Sequence, residues 1–343
     1  MAENASVPVE SDQIKLFIHG MGHFYPENIL DNAFFEELDI GTTNEWITER
    51  VGISSRRTVL ALDYLRQSKN ANPLAAKEAS IYTNAQTGAK AGLMALQRAG
   101  LKATEVGMVI AGGCSPQNTI PAEACQIAAE LGIAATAFDL NSACSSFAAA
   151  LHFLASQRPE TLPDFVLIVN AENTTRTIDY RDRSSAVLWG DGTSAAIVST
   201  RIPARMQVMA TTLHSDPSGW PKVMIPTGGH FTQQGSAVQA FAIRKTGETL
   251  TELRQATTRH DHYFIGHQAN LTMLRSVCDR MNIAPERHLY NVDHFGNCGA
   301  AGAPGVLSQN WESFVAGDEI ILVVVGSGLT WGGAVIRIAK DVS

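Results

Sequence analysis

The chain has 343 residues, 45% of them hydrophobic and only 17% charged, with a formal net charge of -7. That length suits one large α/β unit or two domains of roughly 150–200 residues, and so core-rich a composition excludes disorder over most of the chain. An acidic balance with no basic stripe argues against nucleic acid as a partner, and the longest strongly apolar run, Ile320–Val325, is far too short to span a membrane.

The polar, acidic residues Met1–Gln13 do not read as a signal peptide. A first strand is predicted at Lys15–His19 and a helix at Thr43–Val51. The polar stretch Arg66–Asn72 reads as a surface loop. Then helix and strand alternate: helix Ala79–Ala99, strand Gly107–Ala111, helix Ala122–Leu131, strand Thr136–Leu140, helix Ala143–Ala155. Strands Phe165–Val169 and Ala195–Ser199 follow. Residues Ser215–Ser236, with Gly, Pro, Gln and two aromatics, read as a long loop of the kind that often carries function. The remainder predicts helix Gly247–Thr258, strand His262–Ile265, helices Ala269–Met281 and Pro304–Val315, and strands Glu319–Val325 and Ala334–Ile338. Short β-branched runs alternating with helices predict parallel sheets with helices packed on them. The expected class is a soluble, cytoplasmic, two-lobed α/β protein.

One internal echo stands out. Gly190-Asp-Gly-Thr-Ser-Ala-Ala-Ile-Val198 resembles Gly326-Ser-Gly-Leu-Thr-Trp-Gly-Gly-Ala-Val335. Each is a glycine turn, then small residues, then a β-branched run. With the two-lobe length this predicts duplicated halves, 15–200 and 202–339.

The chemistry concentrates in Thr136-Ala-Phe-Asp-Leu-Asn-Ser-Ala-Cys-Ser-Ser-Phe147. A strand delivers the chain to a tight turn, and Cys144 stands at the start of an Ala-rich helix. Free N–H groups and the positive end of the helix dipole favour a thiolate there, which suits a nucleophile. His267 follows another predicted strand, in Gly266-His-Gln-Ala-Asn-Leu271, at the strand end where open α/β sheets place their chemistry. Asn297 follows in His294-Phe-Gly-Asn-Cys-Gly-Ala-Ala-Gly302, before another helix. Cys144 and His267 read as nucleophile and proton acceptor. The other four cysteines, Cys114, Cys125, Cys278 and Cys298, read as buried small residues. Five cysteines with no C-x-x-C spacing predict neither a disulfide framework nor a structural zinc.

The ordered set of Cys144, His267-Gln-Ala-Asn270 and Phe295-Gly-Asn297 resembles the β-ketoacyl-acyl-carrier-protein synthase III family of the thiolase superfamily. Asn44-Glu-Trp-Ile-Thr-Glu-Arg-Val-Gly-Ile53, Pro121–Ile127, Gly190-Asp-Gly192 and Gly326–Gly332 extend the likeness over about Lys15 to Ile338. The resemblance implies an α/β fold of five layers, αβαβα, from two duplicated halves, the first carrying the nucleophile and the second the His and Asn. It implies a homodimer with no metal and no redox cofactor, using acyl-coenzyme A and acyl-carrier-protein thioesters.

The same resemblance implies roles. Cys144 takes an acyl group from a thioester, and its N–H with that of Ser327 forms an oxyanion hole. Ser327 stands where the family usually has glycine. His267 and Asn297 hold the enolate left when a malonyl-type thioester loses carbon dioxide. Trp46 and Arg50 match positions at the pantetheine and nucleotide entrance. Thr272 departs from the family's arginine after His-Gln-Ala-Asn-Leu, which docks the carrier protein. Ile120, where acetyl-primed members often carry phenylalanine, reaches the partner's acyl pocket and predicts a medium or longer acyl chain. Three other readings stay open: acyl transfer without carbon–carbon bond formation, non-decarboxylative condensation of two long acyl thioesters, and a silent partner subunit. The intact Cys144, His267 and Asn297 argue against the last.

Overall fold

The β-branched runs assemble into one nine-stranded sheet in a computed structural model that describes residues 14–340. Its strands are β1 (Phe17–Phe24), β2 (Met108–Ala111), β3 (Thr136–Asp139), β4 (Val166–Glu172), β5 (Gly192–Ser199), β6 (Met206–Ser215), β7 (Tyr263–Gly266), β8 (Glu319–Gly326) and β9 (Thr330–Ile338). Every residue of β4, β5 and β8 is buried, which is why these runs lack a polar alternation. The order is β7-β8-β9-β6-β1-β5-β4-β2-β3. The seven main helices are α1 (Asn44–Val51), α2 (Asn84–Ala99), α3 (Glu123–Leu131), α4 (Ser146–Ala155), α5 (Gly235–Leu253), α6 (Leu271–Met281) and α7 (Gly302–Gln309).

The sheet is mixed, not parallel as the alternation suggested. Only β7 with β8, β2 with β3 and β2 with β4 run parallel. The reason lies in the connections. Only three residues join β8 to β9, too short for a parallel crossover, so that pair closes as a hairpin. The antiparallel strand β6 was not expected at all; its Gln207, Thr211, Thr212 and His214 mask the pattern of a strand that is half-buried along most of its length.

One strand pattern occurs twice across the sheet. β2, β4, β5 and β1 run parallel, antiparallel, antiparallel, and β7, β8, β9 and β6 do the same. The two sets meet at a seam of only two residue pairs, Phe17 with Gln207 and Ile18 with Met206. So narrow a seam lets the sheet fold over α4 and α7. α4 packs on β6, β9 and β4, while α7 packs on β5, β1 and β7. Their apolar faces, among them Phe147, Leu151, Leu154, Val306 and Leu307, fill a core shared by both sets of strands. α2 and α3 cover one outer face and α5 and α6 the other, completing the five layers of a thiolase-like fold.

Two local expectations need correcting. Arg66–Asn72 is no surface loop: Leu62–Ser68 is helical, and Asn70 is fully buried, its amide donating to the Arg176 and Ile178 carbonyls at 2.9 and 2.8 Å. The Ser215–Ser236 segment is partly ordered into a 3-10 turn, Pro217–Lys222, and a two-stranded ribbon, Val223–Met224 with Thr232–Gln233. α5 then begins at Gly235, twelve residues before the expected Gly247, in a stretch with no side-chain cap to announce it.

Candidate active site

Cys144 lies on a turn, not inside a helix. The expected helix from Ala143 begins as a 3-10 turn, Ala143–Ser145, before α4 starts at Ser146. Ala143 is left-handed, with φ of 46°, a conformation that costs an L-residue roughly 1–2 kcal/mol. Serines hold the turn in it: the Ser142 N–H donates to Ser146 Oγ at 2.9 Å, and Ser145 Oγ donates to the Ser142 carbonyl at 2.7 Å. The result is a buried Cys144, 7% exposed, on a turn that packs against β8. Gly326, at the end of β8, touches the turn so closely that a Cβ there would stand 2.9 Å from Ser145 N.

A second sulfur meets Cys144. Cys114 follows β2 and its Sγ lies 3.3 Å from Cys144 Sγ. Hydrogen bonding from the Cys114 thiol is the largest influence holding the Cys144 thiol well below its ordinary value; burial opposes it, and His267 reinforces it through a hydrogen bond and charge. The same contact, then burial, pushes the Cys114 thiol well above its ordinary value. So Cys114 is not the inert buried residue the sequence suggested. Cys125 is exposed, another correction, while Cys278 and Cys298 are buried as expected.

Behind the sulfurs sits Glu172, fully buried at the end of β4. Its carboxylate accepts the Cys114 N–H at 2.8 and 3.0 Å and the Ala300 N–H at 2.8 Å, with Thr174 Oγ1 at 3.1 Å. Burial first, and the charge of Cys144 second, push its carboxyl up to about 7. Neither Cys114 nor Glu172 was singled out from the sequence. For Cys114 a signal existed: it follows a predicted strand and a Gly-Gly pair, the same strand-end position as Cys144 and His267.

His267 leaves β7 beside the Cys144 sulfur, 7% exposed, and its Nδ1 has no hydrogen-bond partner among the described residues. The residues after it are scaffolding. The Gln268 amide donates to the Gly266 carbonyl at 2.7 Å and accepts the Asn291 N–H at 3.0 Å, and Asn270 caps α6 through the Met273 N–H at 2.7 Å.

Asn297 is pinned by the Gly190-Asp-Gly192 segment. Its N–H donates to the Leu188 carbonyl at 2.8 Å, and its carbonyl accepts the Gly190 N–H at 3.1 Å. A Cβ on Gly190 would stand 2.1 Å from the Phe295 carbonyl, so only glycine permits this approach. Asn297 Oδ1 accepts the Gly299 N–H at 3.0 Å, which leaves the amide nitrogen free to donate elsewhere. The next turn, Gly299–Ala301, packs on the Cys144 turn, and a Cβ on Gly299 would lie 3.2 Å from Cys114 Sγ. Cys144, His267 and the Asn297 turn are thus drawn into one buried site.

The other predicted residues fall at its margins. Ser327 directly follows Gly326, and its hydroxyl donates to the Val223 carbonyl at 2.7 Å. Trp46 is half-buried against the apolar cluster that holds Cys144, with the Arg183 guanidinium 4.8 Å from its ring centroid. Arg50 is exposed one turn later on α1. Ile120 is 83% exposed. Thr272 lines a surface groove of about 550 Å³ between α1 and α6, together with Thr48, Glu49, Arg275, Asp279 and Arg280. Among the described residues, no group of three or more His, Cys, Asp and Glu gathers as a metal site, and no helix is long and apolar enough to cross a membrane.

The layered architecture is that of the thiolase-like condensing enzymes. Residues 138–217 match the family model of 3-oxoacyl-[acyl-carrier-protein] synthase III, and residues 253–338 match the model of its C terminal part. The beta-ketoacyl-[acyl-carrier-protein] synthase III of Syntrophomonas wolfei is 33% identical over 351 residues, 96% of this chain and 99% of its own. The 3-oxoacyl-[acyl-carrier-protein] synthase III of Aquifex aeolicus superposes with a TM-score of 0.83 at 29% identity, over 94% of this chain and 99% of that one. The priming beta-ketosynthase of the R1128 polyketide pathway does so with a TM-score of 0.80 at 25% identity, over 99% and 100%. The chain belongs to the 3-oxoacyl-[acyl-carrier-protein] synthase III family: acyl-transferring condensing enzymes that work on thioesters without a cofactor.

Proposed function

We propose that this chain performs a decarboxylative Claisen condensation in the cytoplasm, starting a fatty-acid or specialised acyl chain. The Cys144 thiolate attacks the carbonyl of an acyl thioester, and the N–H groups of Cys144 and Ser327 hold the oxyanion. The carbon–sulfur bond to the donor breaks and its thiol leaves. A malonyl-type thioester then loses carbon dioxide. The electron pair of the broken carbon–carbon bond passes into an enolate, whose oxygen His267 and Asn297 hold. The enolate carbon attacks the acyl carbonyl on Cys144, a carbon–carbon bond forms, and the Cys144 thiolate departs from a β-ketoacyl thioester.

The observation that carries this reading is the meeting of Cys144, His267 and the Asn297 turn in one buried site. Simple acyl transfer would need a nucleophile and a base but no Asn297. The repeated strand topology, joined between Ser199 and Met206, supports duplicated halves at 15–200 and 202–339. The exposed Ile120 supports a homodimer in which that side chain is covered by the partner. Trp46 would stack on the adenine of a coenzyme A donor and Arg50 would meet its phosphate. Arg275 and Arg280, in the groove with Thr272, supply the positive charge for an acidic carrier protein that Thr272 lacks. Intact-protein mass spectrometry after incubation with a panel of acyl thioesters tests the first step, and product analysis with a malonyl thioester tests the second. Absence of any adduct on Cys144 would overturn the reading.

A further inference from the structure

The contact between Cys114 and Cys144 is a product of the fold. β2 and β3 are parallel neighbours, with Ala111 opposite Asp139, so both chains leave the sheet at the same edge and turn toward each other. The two sulfurs then stand 3.3 Å apart, at van der Waals contact or closer. The pair is held from behind: the Cys114 N–H is bound by Glu172 and the Cys144 turn is stitched by its serines.

The two sulfurs are also chemically unequal. Cys144 is the one whose surroundings favour a thiolate, while Cys114 keeps its proton. An electron-rich sulfur beside a protonated thiol is the arrangement of a reactive cysteine with a resolving partner.

We propose that Cys114 is a resolving cysteine for Cys144, so that a peroxide converts the pair into a reversible intramolecular disulfide. The Cys144 thiolate attacks one peroxide oxygen. A sulfur–oxygen bond forms, the oxygen–oxygen bond breaks, and the departing hydroxide is neutralised to water by the solvent proton that Cys144 released when it ionised. The Cys114 sulfur then attacks the Cys144 sulfenic sulfur. The sulfur–sulfur bond forms, the sulfur–oxygen bond breaks, and the leaving hydroxide takes the Cys114 proton as water. Each sulfur has lost one electron and the peroxide has been reduced by two, giving two waters per disulfide. The nucleophile is silenced, but it is kept off the irreversible sulfinic path and a dithiol restores it.

This inference shares with the proposed function the reactive thiolate of Cys144, yet its readout is mass and not turnover. The full-length reduced protein is treated with a slight excess of hydrogen peroxide, alkylated and digested without reduction. The expected result is loss of two hydrogens from the intact mass and a cross-linked peptide joining Cys114 to Cys144, both reversed by dithiothreitol. Oxygen addition at Cys144 with no cross-linked peptide overturns the proposal. In Cys114→Ser given two or more equivalents of peroxide, Cys144 should carry two added oxygens, and dithiothreitol should recover little of its free thiol by mass. Recovery as complete as the parent's overturns it as well. If that variant fails to fold, the parent's peptide map decides alone. Prior loading with an acyl thioester should abolish the cross-link; loading that fails while the cross-link forms would sink the condensation reading and leave this one standing.

Discussion

The side chain of Glu172 holds the backbone N–H of Ala300 at 2.8 Å, joining positions 128 residues apart in the chain. Ala300 stands three residues after Asn297, and the same carboxylate holds the N–H of Cys114 beside the nucleophile. One buried acid therefore sets the distance between the turn that carries Asn297 and the sulfur that touches Cys144. In Glu172→Ala the Cys114 and Ala300 N–H groups, which share Oε1, both lose their acceptor, at a cost of about 1–3 kcal/mol each. Condensation should fall more than Cys144 loading if Asn297 acts only after loading, as proposed. Separate measurement of acyl-enzyme formation and product formation checks this; equal losses in both would remove the positioning role.

Glu172 also predicts a pH dependence. Its carboxyl ionises near 7 in the folded chain against an ordinary 4.5, and Asp191, raised by burial to about 6 from 3.8, behaves alike. Both are acids raised on folding, so the folded state binds more protons than the unfolded state across these windows. Stability therefore declines as pH rises, through about 4 to 6 for Asp191 and on to about 7 for Glu172. Thermal melts at a series of pH values should show the decline, and Glu172→Gln should flatten its upper part. An unchanged slope in that variant would place the titration elsewhere.

Asn297→Ala should leave Cys144 loading measurable while decarboxylation of a malonyl thioester drops on the order of 10²–10³-fold, the usual effect of losing one oxyanion donor. Carbon dioxide release in the presence of pre-acylated enzyme reads this directly. Condensation at the parental rate would return acyl transfer to first place.

Gly190→Ala should unseat the Asn297 segment. The new Cβ would lie 2.1 Å from the Phe295 carbonyl, backbone against backbone, so the two segments must part. A cost of about 1–3 kcal/mol is expected from such overpacking. A denaturation midpoint shifted downward, with condensation hit harder than loading, is the expected outcome. A midpoint equal to the parent's would mean that the segments separate freely.

Ile120→Phe should depress loading of longer acyl thioesters more than that of acetyl. Each buried methylene is worth about 0.8 kcal/mol, so the space lost to an aromatic ring shifts preference by one to two orders of magnitude for a few carbons. Loading rates across a chain-length series check it. Equal loss throughout, or an acetyl preference in the parent, would remove Ile120 from the pocket.

Much was determined by sequence alone, because local chemistry sufficed. α1, α3 and the strands at Gly107–Ala111, Thr136–Leu140 and Glu319–Val325 lie within a residue or two of their expected bounds, since caps such as Thr43 and Gly132 and β-branched runs are local signals. Cys144, His267 and Asn297 could be singled out as candidates because each stands where an element begins or ends. What tertiary structure alone decided depends on contacts between distant segments. β6 is a strand only because β1 and β9 flank it; its half-buried face hides the alternation. Asn70 is polar and looks exposed, yet the Arg176 and Ile178 carbonyls claim it from more than 100 residues away. The pairing of Cys114 with Cys144 follows from two parallel strands ending at one sheet edge, and no local pattern encodes which edge residues will meet.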